Sequence, residues 1–323
     1  ARFPDFDTLE DVRVTTGGAA DVAVQTAGVT LNMVTRRGGN KVGLSSRFYL
    51  TYNFFQSDNL TDGLRAQGVA NTNRIQQIKD FGVSAGGPLI KNRVWWWGAY
   101  GVQDIFNFTI YNTKDQAVLN NYSFKLNIRP WGGNSFEALA TSGARDVYGV
   151  GAAAAKPEGN HEAGMTALGS PFFKLQDEQV VNNIFVLTLK YSFNDTGVTS
   201  KPSVDETMVN PVVWSIGTQT YVPFSSDYGK SWDWSASERP RSNFQVMAAL
   251  YRDSALGASH ELKGGLEFSY RGEVNRSGYA QNFEILRDFT EPLVDLGEGL
   301  VVPPADWQFF RFGREDRSDA RTK

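Results

Sequence analysis

The sequence predicts an all-β protein: one large antiparallel sheet whose strands are long enough to cross a lipid bilayer as part of a barrel wall. Three observations predict it. Apolar side chains fall on alternate positions in several segments, which places them on one face of a strand. Those segments run to about 9 to 13 residues, against the usual 5 or 6 of soluble strands, and about 9 to 11 tilted residues span a bilayer. The connections are also sorted, with tight Gly/Asn/Pro turns alternating with long polar loops, as in outer-membrane barrels.

Residues 1–40 end in the run GVTLNMVTRRGGN. Glycines cluster in residues 1–40 at Gly17, Gly18, Gly28, Gly38 and Gly39, which is read as positive φ and close backbone approach. Directly after Gly38, Gly39 and Asn40 a clean strand begins. Its even positions Val42, Leu44, Phe48, Leu50, Tyr52 and Phe54 are apolar apart from Ser46, whereas Ser45, Arg47, Thr51 and Asn53 dominate the odd ones.

A long loop is expected over residues 56–77 and a strand over Lys79–Leu89, turned by LIKNR into a strand over Val94–Ile105. That strand opens with Trp95, Trp96 and Trp97, a run that invites reading as a sugar-stacking platform. Alternation opposes this reading. Val94, Trp96, Tyr100 and Val102 turn toward lipid while Trp95, Trp97 and Gln103 turn inward, so the rings serve as interface or lumen aromatics near the short-turn end.

The next strand, from Val118, places Tyr122, Phe124, Leu126 and Ile128 opposite Asn121, Ser123, Lys125 and Asn127. The turn RPWGGN leads to a short strand over Ser135–Ala140. A loop is expected over residues 141–179, with GAAAAKP as a low-complexity tip, and a single strand runs from Val181 to Ser192. A third long loop, Asn194–Pro240, carries Trp214, Tyr221, Trp232 and Trp234, candidates for ligand contact through their ring faces. Strands over Phe244–Tyr251 and from Leu262 follow, joined by DSALGAS, and everything after Gly272 reads as loop. Arg47, Lys125, Lys190, Lys263 and Glu267 fall on the polar, lumen-facing positions, where charge stays hydrated or paired.

Composition narrows the function classes. The chain of 323 residues carries a formal charge of -3 with no Lys/Arg cluster, which removes nucleic acid as a partner. With no Cys and only two His, thiolate metal sites, Cys nucleophiles and a His-rich zinc site are not expected, so no cofactor and no catalytic residue is assigned. No stretch approaches the roughly 20 apolar residues of a membrane helix. A carbohydrate-active β enzyme is the enzymatic alternative, resting on Glu261, Glu267 and Glu273. Alternate strand residues lie about 7 Å apart in any case, so that spacing needs no chemistry.

The stretch Val12–Asn40 resembles the end of the plug of TonB-dependent outer-membrane receptors, with Gly28, Val29, Asn32, Val34, Thr35, Arg36, Gly38, Gly39 and Asn40 matching the pattern. Phe81–Gly101, with its turn Gly86, Gly87, Pro88, Ile90 and Lys91, is similar to early barrel strands of the Oar-like, carboxypeptidase-regulatory-like subset. The resemblance implies residues 1–40 as the C-terminal part of a plug, with Gly28, Asn32, Thr35, Arg36, Gly38, Gly39 and Asn40 at the plug–barrel junction. Residues 41–323 would then be the first portion of a barrel of roughly 22 strands, the whole chain being a piece of a longer receptor in the outer membrane of a Gram-negative bacterium. It further implies binding of a large scarce solute, such as an oligosaccharide, a peptide or a metal chelate, by the outer loops. The implied partners are outer-membrane lipid, the TonB complex through a segment preceding Ala1, and a surface lipoprotein or other assembly subunits. The alternative within this setting is a structural or secretion-associated surface protein that uses the barrel as an anchor.

Overall fold

The computed structural model describes residues 5–16, 29–153, 158–164, 169–203, 212–215, 220–221, 233–255, 258–279, 284–287, 294–295, 301–302, 308–310 and 316–322. A 3-10 turn at Phe6–Thr8 leads into a two-stranded antiparallel hairpin, β1 (Leu9–Thr16) with β2 (Val29–Thr35). The chain then enters a 13-stranded sheet through β3 (Gly43–Tyr52), β4 (Arg74–Ile90), β5 (Val94–Phe108), β6 (Lys114–Ile128) and β7 (Asn134–Val150). It continues through β8 (Asn160–Gly164), β9 (Phe172–Asn182), β10 (Phe185–Asp195) and β11 (Val198–Pro202). Two short strands, β12 (Val212–Ser215) and β13 (Thr220–Tyr221), precede β14 (Asp233–Glu238), β15 (Pro240–Ala255) and β16 (Ala258–Tyr279). Four short strands, β17 (Glu284–Arg287), β18 (Val294–Asp295), β19 (Val301–Val302) and β20 (Gln308–Phe310), lie before β21 (Asp316–Thr322), which returns to pair with β16.

The pairing pattern simplifies once split strands are joined. The lower half of β7 pairs with β9 and its upper half with β8, so β8 and β9 are two halves of one long strand. In the same way β10 pairs with β15, and β11 pairs with β14, across breaks at residues 196–197 and at Arg239. The wall is therefore a plain up-and-down meander in which each long strand pairs with its sequence neighbours. This topology keeps backbone donors and acceptors bonded inside a membrane.

Short connections gather at one end: residues 91–93, 129–133, 183–184 and 256–257. Residues 53–73, 151–159, 203–232 and 280–315 connect at the other end. The exception there is the turn over residues 109–113, closed by Thr109 N donating to Thr113 O at 3.0 Å and by the two threonine hydroxyls at 2.6 Å. In it Asn112 holds φ 57, a left-handed conformation that Asn tolerates well. The loop over residues 53–73 starts with a 3-10 turn at Asn53–Phe55 and carries one short α-helix, Asp62–Ala66, capped by Thr61 Oγ1 accepting from Leu64 N.

Burial is inverted relative to a water-soluble protein. Among the described residues the buried apolar side chains are Trp97, Leu139 and Val147, whereas nine polar or charged ones are buried, including Asp5, Thr8, Ser84, Ser123 and Lys125. The apolar residues lie on the outside: Leu44, Phe48, Tyr122, Phe124, Leu262, Leu266 and Phe268 are 45% to 78% exposed. Outward side chains sit directly opposite one another, as in Tyr100–Tyr122 with rings 5.1 Å apart and Phe173–Phe193 at 6.4 Å. Lipid supplies the partner that a soluble core would otherwise provide.

Three expectations are corrected. The strand read from Val181 to Ser192 is two strands with a turn at residues 183–184. Odd residues face outward in both β9 and β10, so the two-residue turn preserves the alternation and hides the reversal. The loops expected over 141–179, over 194–240 and after Gly272 contain the upper part of β7, all of β8 and β11, most of β9, β14, the end of β16 and β21. There the pairing continues above the apolar band, and no lipid enforces alternation. Third, Gly38 and Gly39 have no positive φ, which among the described glycines belongs to Gly68, Gly149, Gly151, Gly159 and Gly169.

Candidate functional site

The N-terminal turn and hairpin lie against the inward face of the wall, and Arg47 is their main contact. It occupies an odd, inward position of β3, opposite Gly82. Because Gly82 has no side chain, the guanidinium can reach across it: a Cβ at Gly82 would meet Asp7 Oδ2 at 3.0 Å and Arg47 Cζ at 3.1 Å. Arg47 grips Asp5 with two bonds, Nη1 to Oδ1 at 2.8 Å and Nη2 to Oδ2 at 3.0 Å. Nη1 also pairs with Asp7, and Nε donates to Asp80 Oδ1 at 2.8 Å. A planar fork suits such bidentate binding, which a lysine could not reproduce.

Supporting groups fix this cluster. Asp80 Oδ2 accepts from Gln103 Nε2 at 3.0 Å, while Asp5 Oδ1 accepts from the backbone N of Asp7 at 2.9 Å. The Asp5 side chain is only 6% exposed and fills the space over Gly101, where a Cβ would collide with its carboxylate. A charge so buried is tolerated only when paired and hydrogen-bonded, and here it is both.

A second contact lies one strand group further on. Lys125, 5% exposed, donates from Nζ to Thr35 Oγ1 at 3.0 Å and Thr35 O at 3.3 Å. It also pairs with Glu137 Oε2 at 3.0 Å, and Glu137 Oε1 takes Lys174 at 2.9 Å. Between them the hydroxyls of Thr8 and Ser123 meet at 3.4 Å. A cavity of about 520 Å3 remains between the hairpin residues Asn32, Met33 and Val34 and the wall residues Leu139, Thr141 and Phe172.

The exit from the hairpin is held by neutral groups. Asn40 Oδ1 accepts from Trp95 Nε1 at 2.8 Å and from Asn92 N at 2.9 Å, while its Nδ2 donates to Asn92 Oδ1 at 2.6 Å. Asn92, at φ 64, forms the tip of the short turn between β4 and β5. A Cβ at Gly38 would strike the carbonyl oxygen of Trp96, so glycine is required there by close approach; Gly39 has nothing within 4 Å. Arg36 Nε reaches Leu9 O at 3.2 Å, closing the base of the hairpin.

The tryptophans divide by face. Trp95 joins Asn40 and lies 5.9 Å from the Arg129 guanidinium, and Trp97 is 5% exposed against Gly86, while Trp96 occupies the alternate, outward position of β5. The three rings do not form one platform. Trp234 is half-buried in β14 opposite Gly278, rather than in a loop. Trp214 in β12 pairs through its backbone with Tyr221 in β13. Trp232 and Gly28 lie outside the described residues. No group of three or more metal-ligating side chains occurs among the described residues.

The sequence reading missed Asp5, Asp7, Asp80, Glu137 and Lys174. The last three carry a usable signal, being charged residues on the inward face next to Arg47 or Lys125 in the strand register.

No protein-family model matches the chain. Over 97 residues it is 27% identical to the TonB-dependent transporter Oar of Myxococcus xanthus, which covers 29% of this chain and 9% of that relative. Its fold is similar to the crystal structure of the siderophore receptor PirA from Acinetobacter baumannii, with a TM-score of 0.53 and 14% identity, covering 84% of this chain and 35% of that one. The chain is thus TonB-dependent receptor-like, an antiparallel β-barrel segment of the outer membrane.

Proposed function

We propose that residues 1–40 are the last part of a plug and residues 41–323 the adjoining barrel wall of a receptor that imports a large, scarce solute. In this reading the loops and upper strand ends bind an oligosaccharide, a peptide or a metal chelate, with Trp214, Tyr221, Trp232 and, on β14, Trp234 as candidate contacts. The TonB complex then supplies the force that unseats the plug. An oligomeric organic nutrient is the preferred solute class.

The observation that carries the reading is the chemistry of the seat. The N-terminal turn is held to the wall by Arg47 on Asp5 and Asp7, and the hairpin by Lys125 on Thr35, while Val12, Val14, Leu31 and Met33 of the hairpin stay 42% to 58% exposed. Ionic and hydrogen-bonded contacts exchange with water as they part, so a plug seated this way can leave a wetted lumen and return. A greasy seat would have to expose apolar surface at about 25 cal/mol per Å2.

The test is uptake of labelled oligosaccharides, peptides and metal chelates by cells with and without a working TonB system. Uptake of at least one class that stops without TonB is the expected result. Uptake of every class unchanged by loss of TonB would favour the barrel as a mere anchor for a surface assembly.

A further inference from the structure

On the outward face of β5 the apolar run Val94, Trp96, Tyr100 and Val102 ends at Asp104, in register with Lys79, Val118 and Asp146. From Val94 to Val102 is about 27 Å along the strand, or about 21 Å of height at a tilt of about 40°, close to the apolar band of an outer-membrane barrel. Asp104 therefore marks the upper edge of the hydrocarbon. Phe106 and Phe108 continue on the same face about 7 and 14 Å further along the strand, at the level of lipid headgroups.

At this level cations and rings alternate across five strands, β4 to β8. The Arg74 guanidinium lies 4.6 Å from the Phe108 ring centre, and Phe108 stands 5.0 Å from Phe106. Lys114 Nζ sits 5.6 Å from Phe106 and 4.7 Å from Tyr148, and Tyr148 stacks on His161 at 4.3 Å with an interplanar angle of 4°. The carboxylates nearby are already engaged: Asp104 accepts from Gln77 at 3.1 Å and Gln116 at 2.7 Å, and Asp146 faces His161 at 3.0 Å. Arg74 donates to Asn112 Oδ1 at 2.5 Å, which fixes its direction without neutralising it. Neither Arg74 nor Lys114 has an ion pair among the described residues.

We propose that this row binds the phosphorylated sugar headgroup of an outer-leaflet glycolipid. Arg74 and Lys114 take phosphate, and the faces of Phe106, Phe108 and Tyr148 take the C–H faces of the sugar rings. The surface lies on the lipid side of the wall, separate from the plug seat. It requires the outer-membrane setting but no transport step, so its failure would leave the proposed function standing.

The test uses the protein purified from outer membranes in detergent and native mass spectrometry. Three probes are added in turn: bisphosphorylated lipid A, the same glycolipid dephosphorylated, and phosphatidylglycerol. Bisphosphorylated lipid A is expected to bind at least about tenfold more tightly than either other lipid, and the R74Q/K114Q double variant to lose about that factor. K263Q, which removes one positive charge on the inward face as K114Q does on the outer, is expected to bind as the parent does. Equal binding by the double variant and the parent overturns the proposal, as does phosphatidylglycerol binding as tightly as lipid A. Should the double variant fail to insert, judged by heat-modifiable migration, K114Q and F106L/F108L make the same comparison with about fivefold losses expected.

Discussion

Thr8 Oγ1 and Ser123 Oγ lie 3.4 Å apart, one on the N-terminal turn and the other on the inward face of β6. The chain has no cysteine, so a pair introduced here has no competing thiol. Hydroxyl oxygens this close put the two Cβ atoms no more than about 6 Å apart, so a modest shift of the turn reaches the roughly 3.8 Å that a disulfide requires. Under the proposed import function, T8C/S123C is expected to oxidise to a single crosslink that stops TonB-dependent uptake, with reduction restoring it. Full uptake by the oxidised protein, with crosslinking verified by mass, would show that this turn does not have to leave the wall.

Among the described residues Arg47 is the cation that Asp5, Asp7 and Asp80 share. Arg47→Ala leaves carboxylates facing each other in a half-buried site, a change of about 3 kcal/mol against the seated turn. Limited proteolysis should then cut the N-terminal residues several times faster than in the parent. Arg47→Lys restores the charge but not the two-pronged grip on Asp5, so its cutting rate should fall between the two.

Gly38 and Gly39 are neighbours with opposite tolerances. Gly38→Ala pushes a methyl into the carbonyl of Trp96 and should cost about 1 to 3 kcal/mol as the exit shifts off β5. Gly39→Ala meets open space and should stay within about 0.5 kcal/mol of the parent. Thermal unfolding in detergent distinguishes them, and equal midpoints would refute the close approach.

Leu266 and Gln245 lie on opposite faces of one ladder, Leu266 outward and 65% exposed, Gln245 inward opposite Glu267. Leu266→Arg should destabilise insertion by about 2 to 4 kcal/mol if its position is near the bilayer midplane. Gln245→Arg keeps its charge in the lumen beside Glu267 and should be close to neutral. Urea-driven folding equilibria in lipid vesicles measure both, and a reversed order would turn the wall inside out.

How much of this was legible varies by region. From Val42 to Tyr52 and from Val118 to Ile128 the two faces could be read directly, because lipid on one side and water on the other force a period of two. Above Asp104 and Asp146 the outer face leaves the hydrocarbon and the pattern lapses, so the upper part of β7 and all of β8, β11 and β14 passed for loop. The turn at residues 183–184 escaped because it keeps the same parity on both sides. Arg47 and Lys125 were recognisable as lone inward cations. Their partners were not: Asp5 lies 42 residues from Arg47, and Thr35 lies 90 from Lys125.

The sequence by itself determined the all-β class, the outward apolar face and the end of the wall where short turns collect, since each follows from local alternation and turn chemistry. Only the tertiary structure decided that Asp5 and Asp7 share Arg47, that Gly38 is needed for the nearness of Trp96 rather than for its own φ, and that Arg74 and Lys114 stand in one row with Phe106 and Phe108. Those facts depend on the stagger between strands and on where the hairpin rests against the wall, and they arise from contacts between segments that local sequence does not encode.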